Sequence, residues 1–197
     1  MYSFEYQKAA SLADASAALL MAGRPESAAR WWPLLLDRAQ GSTDFQARAT
    51  ALWPLFRIAF GEQLPAGGSG MAGWWQANAG SPDGRRLMLA ETYLAALSAF
   101  GDSAGAPIVA DVVALSLARE GAAAPAALLF AMDQAARAGS TGQTVLLALV
   151  ALGPQGPAGV DPVTLEAAIA ALETVGLGVE ARLIAMEAWG QRAIAKP

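Results

Sequence analysis

Two short stretches have the residue types and spacing of known chemistry. Gly101-Asp102-Ser103-Ala104-Gly105 satisfies G-x-S-x-G, the pattern that presents a serine hydroxyl as a nucleophile on a sharp strand-to-helix turn. Such a serine needs a histidine within reach to take its proton, and the chain contains no histidine. The residues before it, Tyr93 to Phe100, have helical rather than alternating periodicity, so this stretch is predicted to be a turn between helices. Gly68-Ser69-Gly70-Met71-Ala72-Gly73 matches G-x-G-x-x-G, with Glu91 at about the distance of a ribose-binding acid. That fingerprint requires a preceding parallel strand. Leu64-Pro65-Ala66-Gly67 is no strand, and a flexible loop over Leu64 to Gly73 is predicted instead. No Gly-Lys-Ser/Thr follows, which removes the phosphate-loop alternative.

Metal chemistry would have to rest on carboxylates, because histidine and cysteine are both absent. The Asp and Glu residues are spread one or two to a helix, without a calcium-loop pattern or a buried pair at helical spacing. Glu166 with Glu173, and Glu180 with Glu187, read as the solvated stripes of outer helices. No catalytic residue, metal site or cofactor is therefore expected, and the chain reads as non-catalytic.

Charge narrows the partners. The net charge is −4, and the sequence pI is about 4.8. The eleven Arg and two Lys are scattered, with Arg85-Arg86 the one adjacent pair. A nucleic-acid binder shows a basic footprint, so nucleic acid is not an expected partner. The longest uncharged span, Ala138 to Val160, is interrupted by glycines and prolines and leaves only Val145 to Leu152 as a solid apolar block, too short to span a membrane. Met1-Tyr2-Ser3-Phe4-Glu5-Tyr6 lacks the basic and apolar regions of a signal peptide. A cytoplasmic location is the default, and a mature or trimmed segment of a longer protein is the alternative.

The elements follow from composition. Hydrophobic residues make up 55% of the chain and charged residues 15%, and the excess is largely Ala and Leu, strong helix formers that are poor in strands. An all-α protein is predicted. Helices are expected over about 6–22, 25–39 with a kink or break at Pro33, 44–60, a short one around Trp74-Trp75 ending near Asn78, and one from Ser81-Pro82-Asp83 to Phe100. Further helices are expected from Pro107 to Arg119 with Gly121 as the stop, from Pro125 to Gly139, over Val145–Leu152, from Asp161-Pro162 to Thr174, and over 179–195. The helices from Pro125 and over Val145–Leu152, being nearly all apolar, are expected in the middle of the structure. Gly153 to Gly159 is predicted to be an extended linker. Trp53-Pro54-Leu55-Phe56 echoes Trp32-Pro33-Leu34-Leu35, which suggests that consecutive helices meet one packing problem. About ten helices result, arranged as antiparallel αα-hairpins in a short right-handed solenoid-like stack. The stack is a single domain over 1–197, divisible into sub-units 1–64 and 74–197 about the Gly-rich loop 65–73.

Gly23, Ala28 and Trp32 are spaced five and then four residues apart, and the turn they form is similar to that of tetratricopeptide repeats. Gly176, Ala181 and Ala188 repeat part of the pattern, with Ala185 where the aromatic belongs. The resemblance covers about a third of the chain. It implies a helical-repeat scaffold that binds a peptide or protein in a concave groove.

The binding residues it would use are aromatic. Trp32 and Trp53 fall on apolar stripes and are predicted to be core. Trp31 points about 100° away, onto a flank with Arg24, Ser27, Leu34 and Arg38. An aromatic flanked by Arg has the composition of a protein-binding hot spot, and the same residue could equally cover a neighbouring hairpin. Trp74 and Trp75, beside the Gly-rich loop, carry the same two readings. A protein partner is thus expected at Trp31, Arg24, Arg38, Trp74 and Trp75. A carrier of an apolar small molecule is the alternative, and homo-oligomerisation is compatible with both.

Overall fold

Glycine, proline and the Asp/Ser caps cut an Ala- and Leu-rich chain into helices, and the computed structural model is helical with no strand among the described residues. The structure describes residues 2–64, 67–81, 83–116, 124 and 126–194. Four helix ends carry the Schellman arrangement, with Gly23, Gly101, Gly139 and Gly176 at positive φ and the next amide donating five residues back, as from Arg24 N to Leu19 O at 2.9 Å. Glycine adopts that left-handed conformation without the Cβ penalty. The chain forms two compact units, Met1–Ser81 and Pro82–Pro197.

The first unit comprises α1 (Tyr2–Met21), α2 (Pro25–Ala29), α3 (Trp32–Ala39), α4 (Thr43–Phe60), a 3-10 turn Gly61–Gln63, and α5 (Gly70–Ala77). Helix α4 is its centre, packing against α1, α3 and α5. The core is aromatic: Trp32, Phe45, Trp53, Phe56, Trp74 and Trp75 are all buried, and the Trp32 and Phe56 rings lie 4.4 Å apart. The expected break at Pro33 is present, because α2 stops at Ala29 and α3 restarts at Trp32 with Pro33 in its first turn. The echo between the two Trp-Pro pairs is sequence-deep only. Pro54 lies inside the continuous helix α4, whereas Pro33 opens a new one where its missing N–H costs nothing.

The predicted flexible loop Leu64 to Gly73 is corrected in part. Helix α5 already begins at Gly70. A Cβ on Gly67 would stand 2.6 Å from Leu36, and one on Gly68 2.9 Å from the Trp53 ring and 3.4 Å from Trp32. The glycines let the backbone lie directly on the aromatic core, at φ values of 133° and 90° that other residues rarely adopt. Pro65 and Ala66 lie outside the described residues.

The second unit comprises α6 (Asp83–Ala99), a 3-10 turn Ser103–Ile108, α7 (Val109–Ser116), α8 (Ala126–Arg137), α9 (Thr141–Leu152), α10 (Pro162–Thr174) and α11 (Gly178–Ile194). Helix α10 is central and packs against α6, α8, α9 and α11, with Leu165, Ala168 and Ile169 fully buried. This corrects two expectations. Glu166 and Glu173 belong to the middle helix rather than an outer one, and α8 and α9 are not the middle, since α9 keeps one side uncovered. A one-dimensional stack would leave each hairpin against its chain neighbours, yet α6 also packs on α10. Pro107 lies within the 3-10 turn and not at a helix start. The expected continuation through Leu117–Arg119, the stop at Gly121 and the starts at Pro82 and Pro125 fall outside the described residues.

The predicted extended linker 153–159 is folded. Gly156 N donates to Gly153 O at 3.3 Å and Gly159 N to Gly156 O at 3.0 Å, making two successive tight turns. Pro157 within them is buried. At the end of this loop, the Asp161 carboxylate caps α10, accepting from Thr164 N at 2.9 Å and from Thr164 Oγ1 at 2.5 Å.

Candidate functional site

The two catalytic-looking motifs have structural roles. In Gly101-Asp102-Ser103-Ala104-Gly105 the glycine ends α6, and Asp102 Oδ1 accepts from Ala104 N at 2.9 Å, so the acid caps the 3-10 turn. Ser103 is exposed within that turn. No strand precedes the serine, and the chain has no histidine to serve as its base. In the G-x-G-x-x-G stretch, Gly68 lies on the tryptophan rings, and Ser69 Oγ donates to Thr50 Oγ1 at 3.1 Å. The element before it is the 3-10 turn Gly61–Gln63 in place of the strand a dinucleotide site requires.

Those glycine-loop residues edge an open recess of about 450 Å³ over α3 and α4 in the first unit. A second open groove, of about 480 Å³, runs between α6, the 3-10 turn, α7 and the start of α10, and Glu91, Leu94, Ser98, Asp102, Val112 and Glu166 are among its walls. Its acids are engaged: Ser98 Oγ donates to Glu166 Oε1 at 2.6 Å, and Asp102 holds its cap. Among the described residues no group of three or more potential ligands is placed to hold a metal ion.

The five aromatic and basic candidates separate. Trp74 and Trp75 are 2% and 3% exposed, on the inward side of α5 against α4, so they are core residues and not surface anchors. Trp31 is 39% exposed. It occupies the N-cap position of α3 in the break after α2, so its outward direction comes from the break rather than from an offset within one long helix. Leu34, 52% exposed, and the exposed Arg38 follow at i+3 and i+7 along the same face. Arg24 is exposed at the entry to α2. Trp31, Leu34 and Arg38 thus form one strip, with Arg24 across the break.

Two features were not singled out from the sequence. The first is Arg192 on α11, 7% exposed, whose Nε donates to Ala158 O at 2.9 Å. Its other nitrogens donate to Val160 O and Thr92 Oγ1. Burial pushes this guanidinium below its ordinary value, and the Asp161 and Glu91 carboxylates oppose that shift. It pins the 153–160 loop to α11 and α6. In the sequence Arg192 is one of several isolated cations on helices, with nothing to mark it as inward.

The second is the outer side of the α8–α9 pair. Leu146, Leu149 and Val150 on α9 are 66%, 61% and 64% exposed, and Phe130 on α8 is 66% exposed. The inward positions of α9 are taken instead by Thr144, Ala148, Ala151 and Leu152. Leu146, Leu149 and Val150 therefore face water, while Thr144, two alanines and Leu152 face the core. The i, i+3, i+4 spacing of Leu146, Leu149 and Val150 was present in the sequence, but so was an apolar opposite side, and periodicity could not say which would be covered.

Compared with known proteins, the chain matches no family model, no curated protein and no solved structure.

Proposed function

We propose that the protein is a non-catalytic helical scaffold that holds a protein partner on a tryptophan-containing face. The observation that carries this reading is Trp31, a half-exposed tryptophan aligned with exposed Leu34 and Arg38 in a unit whose other four tryptophans are buried. Tryptophan and arginine are the residues enriched at the energetic centres of interfaces, and leaving a large aromatic partly in water forgoes burial of about 1.5–3 kcal/mol. The tetratricopeptide-like turn supports a repeat-type scaffold at the positions that carry it. Gly23 ends α1, and Ala28 and Trp32 are buried behind it, as are Ala181, Ala185 and Ala188 behind Gly176. The pairs α8/α9 and α10/α11, each joined by a three-residue turn, are the hairpins from which a solenoid-like stack would be assembled.

A carrier of an apolar small molecule would need an enclosed cavity. Both grooves described above are open to solvent, and nothing specific favours that reading.

The test is capture of partners from the source cells with tagged protein, followed by binding measurements with the purified partner. Trp31→Ala is expected to weaken binding by more than about tenfold, a hot-spot loss of about 2 kcal/mol or more, with an unchanged circular dichroism spectrum and melting temperature. A partner that binds Trp31→Ala and Arg38→Ala as tightly as the wild type would remove this face from the reading.

A further inference from the structure

We infer that the exposed side of α9 pairs with the same helix of a second copy of this chain, about a two-fold axis at Leu146. This rests on the second unit alone and is independent of the partner face at Trp31.

The chemistry of the stripe selects its occupant. An isologous contact sets each surface against itself, so every charge on it meets its own like. From Ala138 to Val160 the chain carries no charge, and Asp133 and Arg137 on the neighbouring α8 neutralise each other in an ion pair of 2.9 Å. A second copy is therefore met without like-charge opposition. The Trp31 strip is bordered by exposed charges of both signs, Arg24, Arg30 and Arg38 with Glu26 and Asp37, so it lacks the charge-free character of the α9 stripe.

The shape of the stripe is also complementary to itself. Along its outward side run Gly142, Gln143, Leu146, Leu149 and Val150, all exposed. Antiparallel pairing centred on Leu146 opposes Leu146 to Leu146, Gln143 to Leu149, and Gly142 to Val150. A Cβ on Gly142 would meet nothing within 4 Å, so that position is open to solvent and, with no side chain of its own, leaves room for the branched Val150 of the other copy. The aliphatic stem of Gln143 covers Leu149 while its amide stays in water.

The extent of the patch sets the strength. Leu146, Leu149 and Val150 at these exposures offer on the order of 300 Å² per copy, the size of patch that marks interaction sites. That is below the roughly 800 Å² per partner of a standard interface. A reversible dimer with a Kd in the micromolar range, rather than an obligate one, is the expected result.

Sedimentation velocity across a concentration series about that range tests the pairing on the full chain. Wild-type protein should shift from monomer to dimer, and Leu146→Glu, which opposes two carboxylates at the axis, should raise the Kd by more than about tenfold. Gly142→Ala fills that room while favouring the helix, so it should weaken the dimer without lowering the melting temperature, an effect no structural role of Gly142 would produce. Because the chain has no cysteine, Leu146→Cys should be joined to a covalent dimer by a short bis-maleimide, and Leu34→Cys should not. Should Leu146→Glu fail to fold, the glycine and cysteine variants decide. A wild type that stays monomeric throughout, a dimer indifferent to both Leu146→Glu and Gly142→Ala, or equal cross-linking at Leu34→Cys would overturn the inference.

Discussion

The two units fill their cores with different side chains. In the first, the central helix α4 and its neighbours turn their largest side chains inward, and Trp32, Trp53, Phe56, Trp74 and Trp75 make the core. In the second, alanines such as Ala90, Ala96, Ala168, Ala181, Ala185 and Ala188 are interleaved with Leu97, Leu165, Ile169 and Met186. Small inward residues let helix axes approach closely, and on α9 Leu146, Leu149 and Val150 are left facing out. The comparison teaches that total hydrophobicity does not reveal the core. A contiguous exposed apolar stripe, such as Leu146, Leu149 and Val150 on α9, marks a candidate interaction surface.

The contrast can be broken most severely in the aromatic core. Trp32→Ala or Trp74→Ala should cost about 3–5 kcal/mol, the range for deleting a buried tryptophan. At the buried alanines of the second unit the damaging change is enlargement, and Ala181→Leu should cost about 1–3 kcal/mol through overpacking. Five of the six tryptophans lie in the first unit and Trp189 alone in the second. Denaturant titrations followed by fluorescence and by circular dichroism therefore report on both, and an Ala181→Leu variant as stable as the wild type would contradict close alanine packing.

Next in size is the polar centre of the second unit. Arg192→Leu leaves the carbonyls of Ala158 and Val160 without the donors they now have, and a loss of about 3 kcal/mol is expected from unsatisfied buried acceptors. Protection of the 153–160 amides from hydrogen exchange should fall with it. Gly68→Ala in the first unit should cost about 1–3 kcal/mol, because it forces a left-handed backbone and a contact with Trp53 on a residue with a Cβ. A melting curve that matches the wild type would show that the loop can lift off the rings.

The cap of α10 provides a smaller and pH-dependent effect. Partial burial raises the Asp161 pKa, but the hydroxyl and amide of Thr164 and the nearby backbone amides outweigh it, and the carboxyl is held below its ordinary 3.8. A carboxyl depressed in the folded state binds its proton more readily when unfolded. Its contribution is therefore in place above the ordinary value and is lost as pH falls through the folded-state value. Asp161→Ala should cost about 1 kcal/mol at neutral pH, and the difference from wild type should shrink below that ordinary value. Smallest of all, Leu149→Gln should change the stability of the monomer by no more than about 0.5 kcal/mol, as for any exposed position. A large loss there would mean that the outer stripe of α9 belongs to the core after all.

Much of the fold was legible because its signals are local. Gly23, Gly101, Gly139 and Gly176 end helices through their own backbone freedom, Asp161-Pro162 starts one through an adjacent cap, and Pro33 breaks one by lacking an N–H. The site was legible only in part. Trp31 is expected on an outward flank of one continuous helix and is half-exposed at a break instead, while Trp74 and Trp75 look just as available until α4 is set against them. Arg192 could not be recognised as buried, since the acceptors that make its burial tolerable come from Thr92 and from the 153–160 loop, 32 to 100 residues away.

By itself the sequence determined that the chain is helical, where most helices begin and end, and that its chemistry lacks a histidine or a thiol. These follow from propensity, capping and composition, which act within a few residues. Only the tertiary structure decided which side of each helix is covered. A helix such as α9, apolar on nearly every side, carries no internal record of its inward face, and the choice was made by its packing against α8 and α10, which covers Ala148, Ala151 and Leu152 and leaves Leu146, Leu149 and Val150 outside.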